Sequence, residues 1–283
     1  MSETKKEDDM TSRQPSVDTR FAGSIPEMYD QLMVPLIFEP YAVDIVRRLA
    51  ERKPKRVLEV AAGTGVVTRH MATVLPPDAA IVATDLNPAM LERAAAVGTA
   101  RAVEWRPADA MRLPFADASF DAVVCQFGVM FYPDRAAGCA EARRVLAPGG
   151  VFLFNVWDAI EHNELADIVT AALATVFPDD PPRFMARTPH GYHDLGRIAD
   201  DLRRGGFIAK PQISTLTERS HAPSAEIAAR AYCLGTPLRG EIEAREPSRL
   251  DAACAAAAAA IAARFGPGPV DSRIQAHVVA VTA

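Results

Sequence analysis

Between Arg56 and Trp157, short runs of β-branched and aliphatic residues alternate with longer segments whose apolar positions return every three or four residues. That alternation is the mark of strand–helix–strand units and a parallel sheet. Strands are expected at Arg56–Val60, Ala80–Asp85, Ala102–Pro107, Phe120–Gln126 and Val151–Trp157, with helices at Val66–Leu75, Pro88–Val97 and Arg135–Leu146. In RRVLAPGG the basic residues close the last of these helices, and Pro148-Gly149-Gly150 is expected to stop it ahead of a new strand.

On the N-terminal side, Leu32, Leu36, Val43, Val46 and Leu49 recur at helical spacing. Pro35 and Pro40 are expected to divide that stretch into short helical pieces. Residues 1–20 mix both signs of charge with Ser, Thr and Pro and show no hydrophobic period, so they read as a flexible tail. Beyond Trp157, helices are expected around Glu161–Val176, Asp194–Gly205, Ser224–Cys233 and Ser248–Phe265, with a strand near Gln212–Thr217. The closing RIQAHVVAVTA alternates and is β-branched, so it reads as a last strand of the same sheet. No internal repeat is visible.

At 283 residues, 49% hydrophobic and 24% charged, the chain has the make-up of a soluble globular domain. Its 31 basic and 36 acidic residues leave a net charge of -5 with no basic block, so nucleic acid is not an expected partner. The longest apolar run, Ala252 to Ala263, is Ala-rich and far short of the roughly 20 residues that a membrane span needs. The N-terminus lacks the apolar core of a signal peptide, and a cytoplasmic location is expected. Cys125, Cys139, Cys233 and Cys254 are scattered, which suggests free thiols rather than disulfides or a metal site.

The chemistry concentrates in VLEVAAGTGVV, where a buried strand runs into a turn with Gly63 and Gly65 and then into a helix. Glycine lets a ligand approach the backbone, and the helix start offers free N–H groups. A structural turn uses the same residues, so the turn alone leaves its ligand open. A dinucleotide would favour glycine where Thr68 stands, and the Glu59 carboxylate would repel a pyrophosphate but attract an ammonium group. Asp85 ends the second strand twenty residues after Gly65, placed to accept from both hydroxyls of a ribose. Asp109, after the third strand, is placed to accept from an exocyclic amine of adenine. An amino-acid end, a ribose and an adenine together describe S-adenosylmethionine.

These residues resemble the class I S-adenosylmethionine-dependent methyltransferases of the ubiquinone/menaquinone C-methyltransferase-like group (methyltransferase type 11). The likeness runs from about Phe21 to the C-terminus and is most specific over Val57–Phe154. It covers the first motif (Glu59, Ala61, Gly63, Gly65), the second-strand acid Asp85, Asp109 with Ala110, the fourth-strand FDAVVCQFGVMFYPD and Pro148–Gly150. The resemblance implies an α/β, Rossmann-like, mostly parallel sheet of seven strands in the order 3-2-1-4-5-7-6, the last antiparallel, with helices on both faces. It also implies helices of residues 21–53 capping a cofactor-binding core of 54–157, with residues 158–283 on the substrate side. S-adenosylmethionine would be held by Glu59, Ala61, Gly63, Gly65, Asp85, Leu86, Asp109, Ala110 and Gln126, without a metal. Ala61 departs from the glycine many relatives carry there. AYCLGTPLRGEIEAR resembles a substrate-side insertion between the sixth and seventh strands.

Methyl transfer from a sulfonium needs alignment more than covalent help, and Gln126 and Phe127 are placed to line the floor beside the methyl group. An acidic acceptor would call for a general base; His190, Tyr192 and His193 in RTPHGYHD are the candidates. Asn155, Asp158 and His162 follow the fifth strand and face the same mouth, His70 is expected at the surface, and His221 and His277 stay unassigned. The expected reaction is C- or O-methylation of a small apolar or aromatic acceptor by a monomer or homodimer. The alternatives are an NAD(P)-dependent oxidoreductase and a non-catalytic protein that binds S-adenosylmethionine or S-adenosylhomocysteine.

Overall fold

The computed structural model describes residues 17–21 and 23–283. Of the stretch expected as a tail, residues 1–16 lie outside the described residues. The rest begins with a tight turn, Val17–Thr19, in which Asp18 pairs with Arg187.

Helix α1 (Ile25–Met28) runs straight into a π-helical segment, Tyr29–Phe38, and then into α2 (Glu39–Ala50). The prolines therefore do not cut this region into separate pieces. Around Pro35, which has no N–H to give, the helix widens, and the Glu39 N–H reaches back five residues to the Val34 carbonyl. Pro40 falls in the first turn of α2.

The sheet core follows as β1 (Arg56–Val60), α3 (Val66–Val74), β2 (Ala80–Asp85), α4 (Pro88–Val97), β3 (Glu104–Pro107), β4 (Phe120–Gln126), α5 (Arg135–Val145) and β5 (Leu146–Trp157). All five expected strands end on the predicted residue, but β3 starts two residues later than expected and β5 departs at its start. It begins at Leu146, so Pro148-Gly149-Gly150 lies inside the strand instead of ending the helix before it. The register slips there, from Phe120 opposite Leu146 to Ala122 opposite Val151. Gly149 takes φ +79, and a methyl on Gly150 would stand 2.9 Å from the Ala147 carbonyl oxygen. The two glycines thus form a bulge that no bulkier residue could occupy comfortably.

The second half contributes α6 (Glu164–Val176), α7 (Phe184–Arg187), α8 (Leu195–Arg204), β6 (Gln212–Ala222), α9 (Ala225–Leu234), α10 (Leu238–Arg245), α11 (Leu250–Phe265) and β7 (Val270–Thr282). Of these, α7 and α10 are new relative to the sequence reading, and β6 extends five residues beyond the expected Thr217 to pair with β7 along its whole length. The seven strands lie in the order β3-β2-β1-β4-β5-β7-β6. Strand β7 runs antiparallel to both β5 and β6, and the other pairs are parallel, as the resemblance implied.

Strand β1 and most of β4 are buried along their length, which is why they read as near-continuous apolar runs. The Ala-rich α11 buries Ala253, Ala257 and Ile261, its small side chains allowing close approach to α6 and α9. All four cysteines are free, three of them buried. Among the described residues no helix is long and apolar enough to cross a membrane. The carboxyl ends of β1, β2, β4 and β5 open on one side, where ligands of such sheets bind.

Candidate active site

A cavity of about 830 Å³ lies at those carboxyl ends. Its sheet-side wall begins at the turn after β1. Gly63 has φ +57 and Gly65 φ +84, and the Gly63 N–H donates to the Asp85 Oδ2 at 2.8 Å. The Asn87 N–H donates to the other carboxylate oxygen, also at 2.8 Å. Asp85 thereby ties the glycine turn to the end of β2. Burial raises its pKa, and the bonds from Asn87 and Gly63 pull the other way.

Ala61 also adopts the left-handed region, at φ +55, where a side chain is strained by about 1–2 kcal/mol. Gly128 makes room for it: a methyl on Gly128 would stand 2.6 Å from the Ala61 Cβ and 2.7 Å from the Cys125 Sγ. The methyl of Ala61 is therefore housed by a second glycine after β4.

Glu59 is 1% exposed and does not reach the cavity wall. Thr68 donates a short hydrogen bond to its Oε2, and burial pushes the carboxyl up to about 8, with Thr68 and Arg69 opposing and Asp85 adding. The threonine that spoiled a dinucleotide fingerprint is thus the partner of the motif's own acid. Gly65 is likewise off the wall: a methyl there would meet Trp105 Cη2 at 2.9 Å and Ala94 Cβ at 3.1 Å, so its place is set by packing. The other seven expected cofactor residues, Ala61, Gly63, Asp85, Leu86, Asp109, Ala110 and Gln126, all line the cavity. Asp109 is exposed there and accepts from the Met111 N–H at 2.9 Å.

The opposing wall is aromatic. Phe127 stacks on Trp157 with centroids 3.8 Å apart and planes 6° apart, and Tyr41 meets both edge-on at 5.3 Å. Phe127 holds φ +51, pinned by its N–H, which the Asn155 Oδ1 accepts at 3.0 Å. Phe38 packs against the pair, Tyr29 stacks on Phe38 at 5.0 Å, and Phe131 faces Phe184 at 6.3 Å. The segment before β1 supplies Tyr29, Met33, Ile37 and Phe38 to the cavity lining.

Residues 58–154 match the model of the methyltransferase domain family. A demethylmenaquinone methyltransferase of Deinococcus radiodurans is 43% identical over 99 residues, a match spanning 34% of this chain and 41% of that protein. A ubiquinone/menaquinone biosynthesis C-methyltransferase of Dinoroseobacter shibae is 36% identical over 219 residues, covering 72% of this chain and 86% of that one. The chain belongs to the ubiquinone/menaquinone C-methyltransferase-like family of S-adenosylmethionine-dependent methyltransferases. Among solved structures, the fold is shared by the Haemonchus contortus phosphoethanolamine N-methyltransferase 2 complex with S-adenosylhomocysteine, at a TM-score of 0.56, 15% identity and coverage of 91% of this chain and 56% of that one. It is shared also by the YcgJ protein of Bacillus subtilis, at a TM-score of 0.54, 18% identity and coverage of 86% and 98%. S-adenosylmethionine is the cofactor of this methyltransferase family, and the donor set fits it: a buried carboxylate at the end of β2, a turn of small residues after β1 and an acid after β3 all face one cavity.

The structure does not bring the three expected catalytic residues to that cavity. His190 is buried, with its Nδ1 2.9 Å from the Asp158 carbonyl, and burial lowers its pKa to about 4. Tyr192 is buried and donates to the Asp201 Oδ2 at 3.0 Å, while the His193 Nδ1 lies 2.8 Å from the His190 carbonyl. None of the three is on the wall; their neighbours Thr188 and Pro189 are. Asp158 instead gathers His162, His277 and Gln275 about its carboxylate. His70, expected at the surface, is half-buried and pairs with Glu39 at 2.8 Å.

The sequence reading missed the far wall. Arg187 on α7 reaches Asp18 Oδ1 at 2.6 Å and Glu241 Oε1 at 2.7 Å, joining the N-terminal turn, α7 and α10. Glu241 also accepts from the N–H groups of Arg183 and Phe184, fixing the start of α7. Helices of four and eight residues leave too few turns for a hydrophobic period to show.

Proposed function

We propose that this methyltransferase moves the methyl group of S-adenosylmethionine to carbon or oxygen of a small, apolar or aromatic acceptor. The reading rests on one observation: the Ala61–Gly63 turn, Asp85 and Asp109 share a single cavity with the Phe127–Trp157 stack. The names of the Deinococcus and Dinoroseobacter relatives, which speak of demethylmenaquinone and of ubiquinone/menaquinone, support a quinone-type ring and methylation at carbon.

When bound, the cofactor supplies an activated methyl group on a sulfonium, a good leaving group. The chain's part is to position. Asp85 would offer its carboxylate to the ribose hydroxyls, Leu86 and Ala110 would flank the adenine, and Asp109 would accept from the exocyclic amine. Ala61, Gly63 and Gln126 would border the methionine end, with the buried carboxyl of Glu59 behind the turn. Phe127, held by Asn155 in a strained backbone conformation, presents the floor against which a planar acceptor lies. Excluding water and fixing nucleophile and methyl carbon at about 3 Å supplies most of the acceleration.

The test is incubation of the purified chain with methyl-labelled S-adenosylmethionine and a metabolite extract. Label appearing on an aromatic or apolar metabolite supports the reading. Binding of the cofactor with no labelled product would favour a non-catalytic binding protein instead.

A further inference from the structure

We propose that the acceptor carries a carboxylate, held by the guanidinium of Arg135 on the cavity wall. This rests on the methyl-transfer reading of the same cavity. Arg135 opens α5, and its side chain turns back so that Nη2 donates to the Met130 carbonyl at 2.9 Å while the guanidinium lies 4.4 Å over the Tyr192 ring. The neighbouring acid is spent: Asp134 caps α5 by accepting from the Ala137 N–H at 3.0 Å. Asp201 is spent too, on Tyr192 and on Arg204.

Arg135 therefore forms no ion pair among the described residues, its Nε is buried without an acceptor, and its Nη1 has none either. Arg197 stands over the same tyrosine ring at 5.6 Å, adding a second positive charge beside Arg135. Burial and Arg197 lower the pKa of Arg135, with Tyr192 and Asp201 opposing. The contrast with Arg187 is plain, since that second cavity arginine is neutralised by Asp18 and Glu241.

A cation left unpaired beside an apolar cavity is costly, and an anionic ligand relieves the cost. The donors that remain, Nη1 and the second N–H of Nη2, form the end of a planar fork that matches the two oxygens of a carboxylate. Around it Met130, Phe131, Phe184 and Met185 offer an apolar lining for the body of the same molecule. The Gly63 turn has Met90 and Tyr29 for neighbours, whereas Arg135 has Met130 and Tyr192.

The experiment titrates the full chain, saturated with S-adenosylhomocysteine, with paired probes: benzoate and benzamide, 1-naphthoate and 1-naphthamide, 4-phenylbenzoate and its amide. At least one acid is expected to bind about tenfold or more tighter than its amide, as a charge-assisted pair provides. In Arg135→Gln that preference falls to about twofold or less, Arg135→Lys restores part of it, and S-adenosylhomocysteine binds both variants as it does wild type. The proposal is overturned if no acid is preferred, if the preference survives in Arg135→Gln, or if that variant loses S-adenosylhomocysteine. Wild-type chain that fails to bind S-adenosylhomocysteine would sink the methyl-transfer reading as well; binding without any preference for acids sinks only the role of Arg135.

Discussion

Replacing Glu59 by Gln tests the electrostatics beneath the glycine turn. The folded chain holds this carboxyl at about 8, against an ordinary 4.5, chiefly because it is buried. A group whose folded pKa is raised in this way costs nothing while both states are protonated, below pH 4.5. The cost then grows with pH, because the unfolded chain releases the proton and the folded chain keeps it, and it levels off above about 8. At ~1.4 kcal/mol per pH unit, that interval is worth at most about 5 kcal/mol, and relaxation around the charge brings the expected figure to about 2–5 kcal/mol. Glu59→Gln, neutral throughout, should match wild type to about 1 kcal/mol at pH 5 and exceed it by about 2–5 kcal/mol at pH 9. Urea unfolding followed by circular dichroism at the two pH values, with both proteins, isolates this group from all others that titrate. A difference between the proteins that is the same at pH 5 and pH 9 would show that Glu59 ionises normally in the fold, and the reasoning would fail.

Other outcomes follow from the same geometry. Asp85→Ala removes the acceptor of the Gly63 and Asn87 N–H groups and should lower stability by about 2–4 kcal/mol. Asp85→Asn, milder to the fold, should still weaken S-adenosylhomocysteine binding by about tenfold or more in a calorimetric titration. Gly128→Ala should cost about 1–3 kcal/mol by overpacking, and adding Ala61→Gly should recover only part of it, since the Cys125 Sγ remains in the way; a double-mutant cycle in urea measures both. Tyr192→Phe should lose about 1 kcal/mol with its bond to Asp201, and like His193→Ala should leave methyl-transfer rates within about twofold, since neither side chain lines the cavity.

Residue by residue, the sheet was far more legible than the acceptor wall. Strands β1, β2 and β4 stand where their apolar runs end, because burial on both faces leaves an unbroken signal. Asp85 was legible because the end of a strand fixes where a side chain must point. His190 and Tyr192 were not: sequence placed them near the mouth, but hydrogen bonds to the Asp158 carbonyl and to Asp201 turn them into the protein. Arg135 was missed for the opposite reason, since an arginine in the first turn of a helix ordinarily reads as solvated. Only the folded chain shows Met130 and Tyr192 drawing it to the cavity. The Pro148–Gly150 motif was identified but misplaced, because a glycine bulge and a glycine turn have the same composition.

The most direct test of the central claim is a calorimetric titration of the full chain with S-adenosylhomocysteine at pH 7.5. One site per chain, weakened by about tenfold or more in Asp85→Asn and unchanged in His193→Ala, is the predicted result. No binding by correctly folded wild-type protein, or equal binding by Asp85→Asn, would contradict it.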